Sequence, residues 1–500
     1  MSNKIQQYLR DHKYNTAPDE IYSHIDEWLE WYQGEVRKFH KYKVFNGVVT
    51  TEYKRYSMGM AKKLCEDWAN LILNEKVSIK AGDYEKRLNE ILEANNFRVR
   101  GNQLLEMVFA LGTGAFVEYR DASDNVIIDY IRADMIYPLS WDNGDITECV
   151  FGTTRVIDGK ENIYLQIHRL GREEDAENPE LYYIENRYIE AESGKEIEPP
   201  EEIEPLVRTG YEKPLFQVIT PNICNNIDLD SPLGISIYAN CISQLKGCDL
   251  IYDSYVNEFI LGRKRILVPI SAAKMQMQKE GVTAPVFDAS DSVYYQMPGD
   301  RHEDMKLTEV DMAIRAQEHE LGMQRSLDIL SLKAGMGTGR FQFDSTGVKT
   351  ATEVISDKSD LYQNLQRNEI PVKSALISMI KAVAFLDAGK EIEPTVDFDD
   401  SIIEDSNTTI ERNIKLIQAG LRSKLTAIME IDKCSEADAK KEMERIAEDN
   451  QITGQDMDWT KGDMDEQESE DGDAEEGEEE KKKKTDDSES REKAGPTDKK

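Results

Sequence analysis

Apolar residues recur every three or four positions over residues 20–75 and 84–112, with polar residues between them. This spacing puts the apolar side chains on one face of an α-helix, so both stretches are predicted to be helical. The second stretch ends near Gly112 and Gly114. In the first stretch the predicted inward-facing residues are Ile21, Ile25, Trp28, Leu29, Tyr32, Val36, Met60, Leu64, Trp68, Leu71 and Ile72.

The pattern changes to alternation of apolar and polar residues over residues 115–220. Alternation is typical of half-buried strands, and the intervening DASDN, DNGD and IDGK are typical of hairpin turns. This region is therefore predicted to be an antiparallel sheet. The stretch EIEPPEEIEP, rich in Pro and Glu, is predicted to be a surface loop.

Two long helices are predicted next, with a small module between them. The first spans residues 231–262, with Ser231 as N-cap and Pro232 just inside the helix. Its apolar stripe comprises Ile235, Tyr238, Ile242, Leu245, Tyr252, Tyr255 and Phe259. The second spans about 308–334 and points Val310, Ile314, Leu321, Leu327 and Leu330 inward. Between them, RKRILVPIS and DSVYYQMPGD resemble strands around a short helical AAKMQMQKEG, which predicts a mixed module over residues 263–300.

A third long helix is predicted from residue 350, with Pro371 in its middle and Gly389 as its C-cap. A proline inside a helix removes one backbone hydrogen bond, so a kink is expected at Pro371. Two short helices follow within residues 401–450. Residues 455–500 have too few apolar residues to offset the entropy of ordering and are predicted to be disordered. These patterns predict an α+β chain.

The formal charge of −35 is spread over the whole chain of 500 residues. Residues 461–500 carry 17 acidic and 9 basic residues, so most of the negative charge lies before this tail. A protein that grips DNA by its phosphates is expected to be basic. The acidic body fits either simple solubility or a surface that contacts DNA without holding it.

Sites for metals, redox chemistry and membranes are not indicated. The six cysteines have no CxxC spacing and the six histidines form no HExxH, which favours a reduced compartment and no metal. The start, MSNKIQQYLRDHKY, lacks the apolar stretch of a signal peptide. No apolar run reaches the roughly 18 residues needed to span a bilayer.

The glycine-rich stretch GMGTGRFQFDSTGVKT, residues 335–350, resembles a phosphate-binding loop but lacks residues that such a loop requires. A Walker A loop needs lysine directly after its last glycine, whereas Val348 separates Gly347 from Lys349. A dinucleotide fingerprint needs a third glycine where Arg340 stands, and a preceding strand. The sequence has no GxSxG motif and no acid–base pair whose positions a motif defines. It therefore predicts neither catalytic residues nor a cofactor.

A loop between helices is the remaining interpretation of this stretch. Residues 335–349 exceed the two to eight residues usual for such connections, which favours a functional loop over an ordinary turn. Glycines leave such a loop free to move. The residues expected to matter are Gly337 and Gly339 for freedom, Phe341 and Phe343 for packing, and Arg340 and Lys349 as basic groups.

Two stretches resemble the portal proteins of long-tailed bacteriophages, in particular the group that infects Gram-positive hosts. They are ITPNICNNIDLDSPLGISIYANCISQLKGCD followed by NEFILGRKRI, and DSTGVKTATEVISDKSDLYQNLQ. The resemblance covers about residues 20–450, and the order of elements agrees. It implies a non-enzymatic ring, usually of twelve copies, at one capsid vertex, through which DNA is packaged and later ejected.

The resemblance also implies a division of the chain and a set of partners. The implied parts are an α/β wing (1–230), stem helices (231–262 and 304–334), an α/β clip (263–303), a tunnel loop nearest DNA (335–349), a kinked helix with C-terminal wing or crown helices (350–450) and a tail to which nothing is assigned (455–500). The implied partners are weakly bound double-stranded DNA, the terminase large subunit, a head–tail connector, and the major capsid and scaffolding proteins, in the virion or in the host cytoplasm during assembly, with no membrane.

Two basic features leave alternatives open. The cluster Arg263, Lys264 and Arg265 is expected either to meet acidic partner surfaces at the clip or to pair with acidic residues of its own ring. Arg340 is expected either to touch DNA transiently or to form an intersubunit salt bridge. Competing classes are a nucleotide- or metal-dependent packaging enzyme and another head protein such as a scaffold. A scaffold is expected to be nearly all helix, which the predicted sheet disfavours.

Overall fold

The computed structural model divides the chain into two units, residues 1–403 and 404–500, and each is described by itself. The described residues are 2–453 except 46, 75, 122, 158, 173–180, 201–202, 263–264, 270–274, 278–282, 286–293, 298–307, 311–312, 344–350, 399–405 and 433–435. The predicted disorder of residues 455–500 therefore lies outside the described residues.

Helices and strands alternate through the first unit, and the described part of the second is helical. The helices are α1 (Ser2–Asp11), α2 (Asp19–Tyr32), α3 (Arg37–His40), α4 (Met60–Ile72), α5 (Glu85–Ala94), α6 (Phe97–Leu111), α7 (Ile242–Leu261), α8 (Ala316–Lys333), α9 (Ala351–Ala388), α10 (Ser406–Gln418), α11 (Lys424–Ile431) and α12 (Glu436–Thr453). The strands are β1 (Lys41–Phe45), β2 (Thr50–Lys54), β3 (Ser78–Lys80), β4 (Gly114–Arg120), β5 (Val126–Arg132), β6 (Ile136–Asp142), β7 (Asp145–Ile157), β8 (Lys160–Leu170), β9 (Tyr182–Glu190), β10 (Glu196–Ile197), β11 (Leu206–Arg208), β12 (Phe216–Ile219), β13 (Arg265–Pro269), β14 (Met275–Met277), β15 (Thr283–Pro285), β16 (Tyr294–Met297), β17 (Thr308–Val310) and β18 (Thr395–Asp397). This mixed content confirms the α+β class.

The predicted helices near the N-terminus are confirmed at α2, α4, α5 and α6. Their apolar stripes face one core, in which Trp28 and Trp68 are almost fully buried. The prediction that all of 20–75 is helical is wrong for β1 and β2, which form an antiparallel hairpin. The alternation in KYKVF and TTEYK around Asn46-Gly47 is the pattern of such a hairpin.

The predicted antiparallel sheet is two sheets. Strands β6 to β10 form consecutive antiparallel pairs, and β11 pairs with β9. Strands β12, β4 and β5 form the second sheet, in which the distant β12 returns to pair with β4. A short 3-10 turn at Ala133–Met135 separates β5 from β6, and this break in the backbone ladder starts the new sheet.

The predicted helix start at Ser231 is wrong, because α7 begins at Ile242. Residues 232–238 are all buried, whereas an amphipathic helix buries one face. Their backbone bonds to the end of α6 instead: Ile237 N–H donates to the Phe109 carbonyl at 2.9 Å. A Cβ on Gly234 would lie 2.3 Å from the Gly112 carbonyl oxygen, so this close crossing of two backbones requires glycine.

The described part of the module after α7 contains less helix and more strand than predicted. The strands predicted in RKRILVPIS and DSVYYQMPGD are confirmed as β13 and β16, which pair in parallel. The helix predicted in AAKMQMQKEG is wrong at Met275–Met277, which pair with β15. Residues Thr308–Val310 add a third strand to β13, so the following helix α8 begins only at Ala316.

Helix α8 buries part of its predicted apolar face. Leu327 and Leu330 are buried as predicted, whereas Leu321 is 61% exposed. Ile314 precedes the helix and is 44% exposed, and Val310 lies in a strand. The predicted long helix after residue 350 is confirmed as α9, which carries Pro371 in its interior; a kink there remains a prediction. Gly389 follows the helix with a φ of +61°, as a C-cap glycine does.

One buried carboxylic acid sits in the smaller sheet. Glu118 of β4 is fully buried, and within the described residues neither of its carboxyl oxygens has a hydrogen-bond partner. Burial in these surroundings raises its pKa to about 8, because the charged carboxylate would lose its water without gaining a donor. The folded chain therefore holds this proton more tightly than the unfolded chain.

We predict that Glu118→Gln makes the chain less sensitive to alkaline pH. In the wild type, the stabilisation by the protonated acid is fully present below about pH 4.5 and is lost as pH rises towards 8, by at most about 1.4 kcal/mol per pH unit. Melting temperatures at pH 5.5, 7 and 8.5 measure this. The exposed Glu161→Gln is the control, and equal pH dependence in Glu118→Gln and the wild type would contradict the prediction.

Candidate functional site

Helices α7 and α8 form an antiparallel pair at the centre of the candidate site. Cys248 lies beside Ser326, with Sγ and Oγ 3.3 Å apart, and Glu258 lies beside Arg315 towards the strands β13 to β17. Arg315 donates from Nε and Nη2 to the two Glu258 oxygens at 2.9 and 2.8 Å. This bidentate contact lowers the pKa of Glu258 to about 2.

Two carboxylates on α7 fix this helix to the segment before α4. Asp249 accepts hydrogen bonds from Met58 N–H at 2.7 Å and from Ser57 Oγ at 3.2 Å. One turn further on, Asp253 accepts from Tyr56 N–H at 3.0 Å. Both carboxylates are buried, so these bonds replace the water that the charges lose.

A histidine completes the group around Asp249. The backbone N–H of Val36 donates to Nδ1 of His40 at 2.8 Å, so the neutral ring carries its proton on Nε2. Nε2 lies 2.9 Å from Oδ2 of Asp249 and donates to it. We call His40, Ser57, Met58 and Asp249 the Asp249 cluster. It joins α7 to chain segments about 200 residues earlier.

Apolar side chains remain exposed along both helices of the pair. Leu321 is 61% exposed, and the other such residues are between 42% and 53% exposed. They are Leu250, Phe259, Ile260, Ile329 and Leu332. Several large apolar side chains left exposed on a helix pair are typical of a protein–protein contact.

The first glycine of the glycine-rich stretch ends α8. Gly335 has a φ of +78°, a conformation that glycine adopts without strain. Its N–H donates to the Leu332 carbonyl at 3.2 Å, and the next N–H, that of Met336, donates to Ser331 at 3.0 Å. This pair of bonds is a Schellman motif, and the buried Met336 side chain accompanies it.

Residues 334–337 are held by side chains of three helices. Asn364 of α9 donates to the Gly335 carbonyl at 3.0 Å, and Ser331 of α8 donates to the Gly337 carbonyl at 2.6 Å. Trp68 of α4 donates from Nε1 to the Ala334 carbonyl at 3.2 Å. The start of this loop is therefore fixed to the core.

The predicted loop residues divide between anchors and exposed positions. Gly337 and Gly339 both have positive φ, at +74° and +82°. Phe341 packs against the core, as expected, and its carbonyl accepts from Gln324 at 3.1 Å. Phe343 is 54% exposed, although its N–H donates to the same Gln324 side chain at 3.2 Å. Lys349 lies outside the described residues.

Arg340 pairs within its own chain. Its Nε donates to Oδ2 of Asp67 at 3.3 Å, and Lys63 contacts Oδ1 of the same carboxylate at 2.6 Å. Sequence reasoning missed Asp67, whose signal is a carboxylate inside the buried stripe of α4. Transient DNA contact and an intersubunit bridge remain predictions for Arg340.

The predicted clip cluster is only partly described. Arg263 and Lys264 lie outside the described residues, and Arg265 opens β13 opposite Val310. Within the described part, no group of three or more His, Cys, Asp or Glu side chains is arranged to hold a metal. Among the described helices, none combines the length and the apolar character that a membrane crossing requires.

The chain matches the family described as "Phage portal protein, SPP1 Gp6-like" over residues 11–456. No curated protein matches it in sequence. Many solved structures resemble it distantly, and two of them serve as examples. "Virion of native gene transfer agent (GTA) particle" is 11% identical with a TM-score of 0.35, covering 74% of this chain and 88% of that chain. "Neck of native GTA particle computed with C12 symmetry" is 10% identical with a TM-score of 0.36, covering 75% of this chain and 90% of that chain. Both likenesses are too distant to carry an argument.

The family match covers most of the chain and so defines its class. The chain is a structural, non-enzymatic component of a virion, at the capsid vertex. It belongs to the SPP1 Gp6-like family of phage portal proteins.

We predict that Asp249→Ala destabilises the fold by about 3 kcal/mol. The substitution leaves the Met58 N–H and His40 Nε2–H buried without an acceptor, and each unsatisfied group costs about 1–3 kcal/mol. Urea denaturation followed by tryptophan fluorescence measures the change. Ser254→Ala, at an exposed position of the same helix, is the control and should change stability by less than about 0.5 kcal/mol.

Proposed function

We propose that this portal protein assembles into a ring of twelve copies whose central channel conducts double-stranded DNA during packaging and ejection. The observation that carries the proposal is the exposed apolar surface of α7 and α8, which a single chain leaves uncovered. A closed ring covers such a surface by repeating one heterologous contact around its axis. The number twelve comes from the family resemblance.

In this proposal α7 and α8 are the stem, the strands β13 to β17 belong to the clip, and residues 335–349 form the tunnel loop. The terminase large subunit and a head–tail connector dock at the clip, where Arg263, Lys264 and Arg265 lie. Major capsid and scaffolding proteins surround the wing. A long-tailed phage with a Gram-positive host is the source that the quoted motifs support.

The acidic character of the chain supports a channel that DNA passes without adhering. Each phosphate that a lysine or arginine neutralises adds affinity and makes binding depend on salt. With a formal charge of −35, the chain as a whole repels a polyanion. The proposal therefore includes weak DNA binding and no ATP hydrolysis.

The expected particle is a ring of about a dozen chains. Light scattering of the purified protein gives its mass, and negative-stain class averages of the same sample give its shape. A mass near twelve times 57.2 kDa with a central hole supports the proposal. A chain that stays monomeric at high concentration and with scaffolding protein present contradicts it.

A second prediction separates the loop from the assembly. Shortening residues 344–349 keeps the anchors at Gly335, Gly337 and Arg340, so the ring should still form. Particles assembled with this variant should retain much less DNA, measured as the ratio of filled to empty heads. Replacing the same residues by an equally long Gly/Ser segment is the matched comparison. Normal filling in the shortened variant would contradict the tunnel-loop assignment.

A further inference from the structure

The hairpin β1–β2 has two chemically different faces. The register pairs Tyr42 with Tyr53 and Val44 with Thr51 on one face, and the two tyrosine rings stack with centroids 5.8 Å apart. On the other face, Lys41 pairs with Lys54 and Lys43 with Glu52. The third pair of this second face is Phe45 with Thr50. One face is thus aromatic and aliphatic, and the other is basic near the base of the hairpin with Phe45 towards its tip. We call residues 41–54 the arm.

The arm is exposed over almost its whole length. Every residue of the two strands is exposed except Tyr42, which is half-buried. Near the tip, Val48 is 85% exposed, Phe45 66% and Val49 57%. An isolated two-stranded hairpin is marginally stable in water at best. A large apolar surface on such an element indicates a partner that covers it.

The base of the arm is held firmly. Strand β1 begins directly after His40, which belongs to the Asp249 cluster. The first residue after β2, Arg55, donates from its backbone N–H to the His40 carbonyl at 2.8 Å, and its guanidinium lies 4.1 Å from the Tyr42 ring centroid. Tyr56 and Met58 then bond to α7. Both strands therefore leave from residues fixed to the stem helix.

The charge of the arm is opposite to that of the chain. Residues 37–55 contain six lysines and arginines and one acidic residue, Glu52, within a chain of net charge −35. A basic surface beside an apolar one fits an acidic protein surface with an apolar patch. The chain itself is acidic and leaves apolar residues exposed, so a second copy has this chemistry. DNA would match the basic face alone, because a duplex presents phosphates and offers the aromatic face nothing to cover it.

We propose that the arm docks on a neighbouring copy of this chain. The proposal rests on the proposed ring, to which it adds a specific intersubunit contact. Burial of the aliphatic face against the neighbour supplies affinity, and the basic face supplies orientation towards its carboxylates. Because the base of the arm is bonded to α7, docking also couples the position of one subunit's stem helix to the next subunit.

The test compares Val44→Glu with Val156→Glu. Val44 lies on the apolar face of the arm and is 43% exposed; Val156 is 69% exposed near the end of another hairpin strand, β7. Val44→Glu should raise the protein concentration needed for half-assembly at least tenfold, measured by light scattering, while its melting temperature stays near that of the wild type. Val156→Glu should assemble normally.

A photo-crosslinking residue at Val48 provides a second measurement that does not depend on disrupting the fold. Irradiation with short duplex DNA present should give products that are multiples of the chain mass, and the same residue at Val156 should give none. Crosslinks to DNA, or none to a second copy, would overturn the proposal. If the wild type forms rings and Val44→Glu does so equally well, the docking of the arm is refuted and the ring is not. If the wild type never assembles, both the docking of the arm and the ring are refuted.

Discussion

The Asp249 cluster is the contact on which the rest of the architecture depends. Its carboxylate receives a backbone N–H, a serine hydroxyl and a histidine from segments about 200 residues away in sequence. A charge so deeply buried is tolerated only when such donors surround it, so the position of α7 is fixed by hydrogen bonds with defined directions. Apolar packing alone would let the helix slide or rotate.

Backbone contacts fix the remaining freedom of the helix pair. The crossing of Gly112 and Gly234 brings the chain from the sheet to α7 at a distance that no side chain permits. At the far end of α8, the Schellman motif at Gly335 turns the chain back towards the core. The glycines of the loop thus serve defined turns, and the described part of the loop is anchored where the sequence predicted freedom to move.

The structure gives Arg340, a charge that the sequence singled out, a partner that the sequence did not indicate. The sequence predicts that Arg340 contacts either DNA or a neighbouring subunit. In the structure of the single chain it pairs with Asp67. Asp67 sits in a helix stripe that periodicity labels as apolar core. A sequence shows where each charged residue stands. It does not show which two charged residues pair when, like Asp67 and Arg340, they lie 273 residues apart. The same applies to Glu258 and Arg315, whose bidentate contact joins α7 to the residue directly before α8.

Local periodicity determined much of this protein. The helices α2, α4, α5 and α6, the long α9 and the antiparallel strands all follow from the spacing of apolar residues, because that spacing decides which face can be buried. The glycine stretch could be excluded as a phosphate loop from residue order alone, and the quoted motifs were sufficient to indicate the portal family.

Tertiary structure decided the elements whose local pattern was ambiguous. Residues 232–238 have helix-like spacing but are all buried, so their backbone bonds to α6 and the helix starts only at Ile242. Thr308–Val310 pair with β13, which shortens α8. The Asp249 cluster, the Asp67–Arg340 pair and the division into two sheets depend on contacts between distant segments. The spacing of apolar residues indicates which face of a segment is buried. Which distant residues contact that face and its polar neighbours is determined only in the folded chain.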